Sequence, residues 1–219
     1  MQGAVDPAPG SISALSRQCL AVAVEQLAAA DPDLAGIVAR FGPPPLWDRA
    51  PGFATLLHII LEQQVSLASA QAAFDRLRSA ADPLTPARFL ELTDDELLAI
   101  GFSRQKTRYG RALATAVEDR SLDLEALTTL DDDAAHRELV AIPGIGPWTA
   151  TIYLLMVLGR PDVWPVGDIA LAQAVAEAKG FDARPGPAEM AALGEAWRPW
   201  RSVAARLFWH DYLSRRGRS

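Results

Sequence analysis

The sequence predicts an all-α protein, and three observations lead there. Alanine- and leucine-rich segments repeat their apolar residues three and four positions apart, which is the spacing of one helix face. Proline and glycine punctuate those segments at short intervals, so the loops are short. No run alternates apolar and polar residues between turn signals, as a half-buried strand would. Half of the 219 residues are hydrophobic, enough for a sizeable core.

The elements follow in order. "ISALSRQCLAVAVEQLAAA" is a first helix, stopped by "DPD", and "DPDLAGIVARFG" a second, closed by Gly42 and the "PPP" run. "GFATLLHIILEQQVS" and "LASAQAAFDRLRSAA" are the third and fourth. Pro83 and Pro86 then punctuate before "PARFLEL" and "TDDELLAIG". Thr93 and Glu96 have capping-box spacing. "SRQKTRYGRALATAVED" is a long helix, and "DDDAAHRELVAI" leads into "PGIGPWTATIYLLMVLG". "DIALAQAVAEAKG", "GPAEMAALGEAW" and "PWRSVAARLFWHDYLSRR" complete the chain.

Composition narrows the chemistry. One cysteine, Cys19, excludes a disulfide framework and any iron–sulfur or zinc site built on several thiolates. His58, His136 and His210 share no metal-ligand spacing. No apolar run is long enough to span a bilayer, and residues 1–10 carry no signal-peptide pattern. A soluble, cytoplasmic protein with a disordered tail over residues 1–10 is expected. The net charge of −6 argues mildly against a nucleic-acid partner. The charge is uneven, however. Arg104, Lys106, Arg108 and Arg111 cluster in "SRQKTRYGR", and Arg198, Arg201, Arg206, Arg215, Arg216 and Arg218 crowd the C-terminus. A solvated mixed surface and a basic face on an acidic body both fit that pattern.

Two features stand out in residues 141–171. Pro143-Gly144-Ile145-Gly146-Pro147 separates two helices. Glycine opens backbone angles closed to other residues, and Pro147 suits a first helical position. Either a plain turn with a C-cap glycine or a small anion site at a helix N-terminus satisfies this. Asp168 then precedes an apolar helix, where aspartate is a preferred N-cap.

"LVAIPGIGPWTATIYLLMVLG" resembles the helix-hairpin-helix of the DNA base-excision glycosylases, and "RPDVWPVGD" resembles their following loop, which ends in an aspartate. "HIILEQQVSLASAQAAFDRL" and "AWRPWRSVAARLFWHDYL" are similar to further segments of one branch, the 3-methyladenine DNA glycosylase II family. The resemblance runs from about Asp33 to Leu213. It implies two helical subdomains with a cleft between them, one over residues 49–160, the other over 11–48 plus 161–219. It makes Asp168 the catalytic carboxylate. It also implies a base pocket with Trp148, Trp209 and Ile152, where the family usually has tyrosine at the last position. Trp47 and Trp164 are further aromatic candidates for stacking on a cationic base. Gly144, Ile145, Gly146 and Thr149 would meet a DNA phosphate, and Gln64, with Val65 beside it, would wedge into the duplex.

The family's lyase branches place a Schiff-base lysine where this chain has Trp148. The resemblance therefore implies hydrolysis by water without a cofactor or metal. The enzyme would be a monomer acting on double-stranded DNA with alkylated purines, of 3-methyladenine and 7-methylguanine type. Two alternatives stand: a glycosylase for uracil, hypoxanthine or etheno-adenine, and a non-catalytic DNA-binding protein. Trp197 and Trp200 read as core, and Arg201 as a structural clamp.

Overall fold

The computed structural model describes residues 14–217. The tail expected over residues 1–10, and Arg218, lie outside the described residues. Among them every regular element is helical, as the periodicity requires. The helices are α1 (Arg17–Ala30), α2 (Pro32–Phe41), α3 (Phe53–Glu62), α4 (Leu67–Ala80), α5 (Pro86–Glu91), α6 (Asp94–Ile100), α7 (Arg104–Glu118), α8 (Asp132–Val140), α9 (Pro147–Met156), α10 (Ile169–Lys179), α11 (Pro187–Gly194) and α12 (Arg201–Ser214). Short 3₁₀ turns cover Ala126–Thr128 and Glu195–Trp197.

Side-chain caps set most of the starts. Ser16, Asp31, Ser66, Thr85, Ser103, Asp131 and Asp168 each accept a bond from a first-turn N–H. Thr93 and Glu96 form the capping box in full. Each such cap is worth roughly 1 kcal/mol. The segment read as one helix through "GEAW" instead stops at Gly194 and tightens into the 3₁₀ turn.

Two packing groups result. Helix α3 packs on α4, α7 and α9, with α5 and α6 against α7 and α8 against α9. Helices α1, α2, α10 and α12 pack on one another, with the Glu195–Trp197 turn against α12. The innermost elements bury nearly their whole circumference. Phe53, Leu56, Leu57, Ile59, Ile60 and Leu61 of α3 are all buried, as are Val203, Ala204, Ala205, Leu207, Phe208 and Trp209 of α12. A predominantly apolar helix such as α3 belongs inside, each large apolar side chain contributing roughly 1.5–3 kcal/mol there, whereas α12 also buries Ser202, Arg206 and Asp211.

The second group has a polar pin. Asp31 caps α2 and also accepts from Lys179 Nζ at 2.8 Å and Trp197 Nε1 at 2.9 Å. Burial pushes the Asp31 carboxyl upward, but the hydrogen bonds from Lys179 and Trp197 outweigh it and hold it below its ordinary range. Trp197 is thus a core residue with a satisfied indole. Trp200 is likewise buried and donates to Gln26 at 2.6 Å.

Candidate active site

The hairpin joins α8 to α9. Ile145 N–H closes the turn on the Ile142 carbonyl at 3.0 Å. Gly144 sits at φ +92°, and a Cβ there would lie 2.1 Å from Tyr109 Cγ, so the position excludes every side chain. Gly146 is different. It has ordinary extended angles, and a Cβ would meet nothing within 4 Å. It begins α9 with no side-chain cap, and Pro147 follows. The first-turn N–H groups of Trp148 and Thr149 therefore lack the caps seen elsewhere, the arrangement that receives an anion. Of the four hairpin positions, Ile145 uses its N–H within the turn and buries its side chain. Thr149 is also buried, its hydroxyl accepting from Gln63 Nε2 at 2.9 Å.

Asp168 lies across from that mouth as the N-cap of α10, half-buried, beside exposed Gly167 and Ile169. Three N–H groups converge on its carboxylate. Leu171 N–H donates to Oδ1 at 2.6 Å, Trp148 Nε1 to Oδ2 at 2.9 Å, and Trp209 Nε1 to Oδ1 at 3.4 Å. The groups bonded to it are all donors, and none is an acid.

The tryptophans are thereby assigned a task the sequence did not suggest. They were expected to stack on a base. In the structure their indole N–H groups bond the Asp168 carboxylate, from α9 and from α12. No local signal reveals this, because the partners are 20 and 41 residues away. Ile152, one turn beyond Trp148, is 5% exposed and belongs to the core. Trp47 is half-buried, edge-on to His210 with ring centroids 6.4 Å apart. Trp164 turns into the core, donating to the Met190 carbonyl at 2.7 Å and packing on Trp197.

The turn between α3 and α4 stands beside the hairpin. Gln64 is exposed at φ +58°, and Val65 and Leu67 next to it are 44% and 65% exposed. Gln63 Nε2 bridges this turn to the hairpin, donating to the Gly144 carbonyl at 2.9 Å as well as to Thr149. Gln63 is a positioning residue that the motif reading passed over. The two lysines of the chain are engaged elsewhere. Lys106 Nζ donates to the Leu61 carbonyl at 2.6 Å, and Lys179 closes the far end of α10 on Asp31 and Asp33. Among the described residues no group of three metal-ligating side chains occurs, and no helix is long and apolar enough to cross a membrane.

An uncapped Gly-X-Gly hairpin, a neighbouring projecting turn and a donor-held aspartate at the mouth of the next helix come together at one place in a helix-hairpin-helix architecture. The family model of the HhH-GPD superfamily base excision DNA repair proteins matches residues 57–199, and the chain belongs to that family. It is similar to the "Probable bifunctional transcriptional activator/DNA repair enzyme AlkA" of Mycobacterium tuberculosis, at 32% identity over 202 residues, 85% of this chain and 39% of that protein. The chain spans about half the length of the curated relatives it matches first, 57% of a Bacillus subtilis protein and 39% of the mycobacterial one. A solved DNA-3-methyladenine glycosidase from Bacillus halodurans superposes with a TM-score of 0.75 at 28% identity, covering 89% of this chain and 91% of that one. The Schizosaccharomyces pombe 3-methyladenine DNA glycosylase Mag1, solved with abasic DNA, shares the fold with a TM-score of 0.79 at 23% identity, covering 86% and 95%.

Proposed function

We propose that this protein is a monofunctional DNA glycosylase. It flips alkylated purines, of 3-methyladenine and 7-methylguanine type, out of double-stranded DNA and hydrolyses their N-glycosidic bond. The product is an abasic site in an intact strand, the first step of base excision repair. The single observation that carries the reading is the Asp168 carboxylate, held by three N–H donors next to the hairpin mouth.

The chemistry follows from charge. Glycosidic cleavage develops an oxocarbenium-like sugar, which a nearby anion stabilises. The same carboxylate orients the attacking water and takes its proton. Hydrolysis of ordinary sugars needs a second carboxyl to protonate the leaving group. A purine alkylated at N3 or N7 is already cationic and leaves neutral, so one carboxylate is enough. Trp148 offers its ring to that cationic base, and Gln64 with Val65 fills the gap left in the duplex. The hairpin amides of Gly144, Gly146 and Thr149 grip the strand. The two helix groups form the walls of the cleft, residues 49–160 on one side and the remaining helices on the other, in a monomer without a cofactor. Engagement of both lysines away from Asp168 supports water, not an amine, as the nucleophile.

The deciding experiment is incubation with methylated DNA and identification of the released bases. The wild type should release 3-methyladenine and 7-methylguanine and leave uracil and hypoxanthine duplexes intact. Asp168→Asn should still fold and bind DNA, since Asn caps about as well as Asp, yet release nothing. Unchanged release by that variant removes Asp168 from catalysis. Absence of release by the wild type leaves a DNA-binding protein.

A further inference from the structure

The fold sorts the two basic clusters of the sequence into different roles. At the C-terminus the described arginines are consumed by the protein itself. Arg198 and Arg201 each lie 2.8 Å from Asp162, and Arg216 lies 2.8 Å from Glu177. Arg215 bonds Asp211, and Arg206 is buried among backbone carbonyls. In "SRQKTRYGR" the outcome differs. Arg111 is held by Asp94 and the Leu92 carbonyl, and Lys106 by the Leu61 carbonyl. Arg104 and Arg108 remain exposed, without an ion pair among the described residues.

Their location is fixed by contacts around them. Tyr109 packs against Gly144 of the hairpin, and Gln105 donates to its hydroxyl at 2.7 Å. Lys106 ties the same helix to the last turn of α3, just before the projecting turn. Gln63 links that turn back to the hairpin. The start of α7 is therefore stitched to both loops of the site. Arg104 and Arg108 are four residues apart, which puts their Cβ atoms about 5–6 Å from each other on one face.

Resting on the reading of the protein as a DNA glycosylase, we infer that Arg104 and Arg108 form a third DNA contact. They bind phosphates of the duplex backbone that runs past the hairpin and the projecting turn. This explains how a chain of net charge −6 holds a polyanion: two cations without an ion pair lie beside the site, while Arg198, Arg201, Arg215 and Arg216 are neutralised by carboxylates. Such contacts carry no sequence information and add a salt-dependent term to affinity.

The test is binding of a labelled undamaged duplex, followed by anisotropy between about 50 and 200 mM salt. The double variant Arg104→Gln/Arg108→Gln should bind more weakly on every sequence, its log–log salt slope falling by about 2, or about 0.9 per lost contact. The pair Arg104→Lys/Arg108→Lys should keep most of the slope. Arg17→Gln, an exposed cation at the start of α1, should leave it unchanged. An unaltered slope in the glutamine pair, or an equal fall in the Arg17 variant, overturns the inference while leaving the glycosylase reading intact. A wild type that does not bind duplex at all, or binds without salt dependence, overturns both.

Discussion

Trp148 and Trp209 hold one carboxylate from two sides, and their distances rank them. The Trp148 bond is 2.9 Å and the Trp209 bond 3.4 Å. A hydrogen bond to a charged group is worth about 1.5–3 kcal/mol, and a loss of about 1.4 kcal/mol of transition-state stabilisation is tenfold in rate. Trp148→Phe keeps a flat ring and removes only the donor. It should lower kcat for base release by about tenfold or more, with duplex affinity little changed. Trp209→Phe should lose less. Single-turnover excision with both variants measures the ranking, and equal activity of Trp148→Phe with wild type would discard the aiming role. Gln64 offers a second residue-scale prediction. A side chain at φ +58° stores roughly 1 kcal/mol or more of backbone strain, which glycine relieves at the cost of chain entropy. Gln64→Gly should therefore leave stability within about 1 kcal/mol of wild type while excision falls. An excision rate equal to wild type would mean the side chain does not fill the duplex. Asp168 was legible in the sequence because a cap is a local matter. The indole donors and Gln63 were not, because their partners come from other helices.

At the scale of the element, α3 shows how one helix serves two surfaces. Its apolar face is core, and its end carries the projecting turn. Between them His58 lies stacked on Phe74, ring centroids 4.2 Å apart, one turn from Glu62. Arg49 closes Glu62 from outside with two bonds of 2.9 and 3.1 Å. His58 Nε2 is buried without a hydrogen-bond partner. Burial pushes the His58 imidazole below its ordinary value of 6.5, against the attraction of Glu62 and Asp75 and together with the repulsion of Arg49. A lowered histidine means that the unfolded chain binds more protons between the two values. Stability is present in full above about 6.5 and is lost as pH falls below it. Denaturant midpoints of the wild type should drop from pH 7 to pH 5, and His58→Phe, which keeps the stack, should flatten that drop. A parallel pH profile for the two proteins would free His58 of the effect. The helices themselves were legible: Ser66, Thr93, Ser103 and Asp131 stand where caps must stand. The α12 helix was legible too, and begins at Arg201 inside the expected segment, where Ser202 donates to the Val163 carbonyl at 3.0 Å and accepts from the Val163 N–H at 3.1 Å.

For the whole molecule, the question is what keeps α9, which carries Trp148, in register with α12, which carries Trp209. Arg206 answers it. The side chain is 1% exposed and reaches three segments at once. Nε donates to the Leu46 carbonyl at 2.8 Å, one Nη to the Leu155 carbonyl at 2.8 Å, and the other to Ser202 of its own helix at 3.2 Å. It thereby joins α12 to the end of α9 and to the loop before Trp47. Burial lowers the Arg206 guanidinium to about 10, so it remains charged at neutral pH. In sequence it was one more arginine in a basic tail. Arginine is rarely buried unless paired, and here the pairing is with carbonyls that only the folded chain brings together. Arg206→Met fills similar space but leaves the Leu46 and Leu155 carbonyls without their donor. At about 1–3 kcal/mol for each group, the variant should lose about 3 kcal/mol, a fall in Tm on the order of 10 °C for a chain of this size. Arg206→Lys should not rescue it, because a single ammonium cannot reproduce the planar fork. If the clamp aligns the site, excision well below the melting range should also fall, and more than duplex binding does. A variant that melts early but excises normally at low temperature would confine Arg206 to stability.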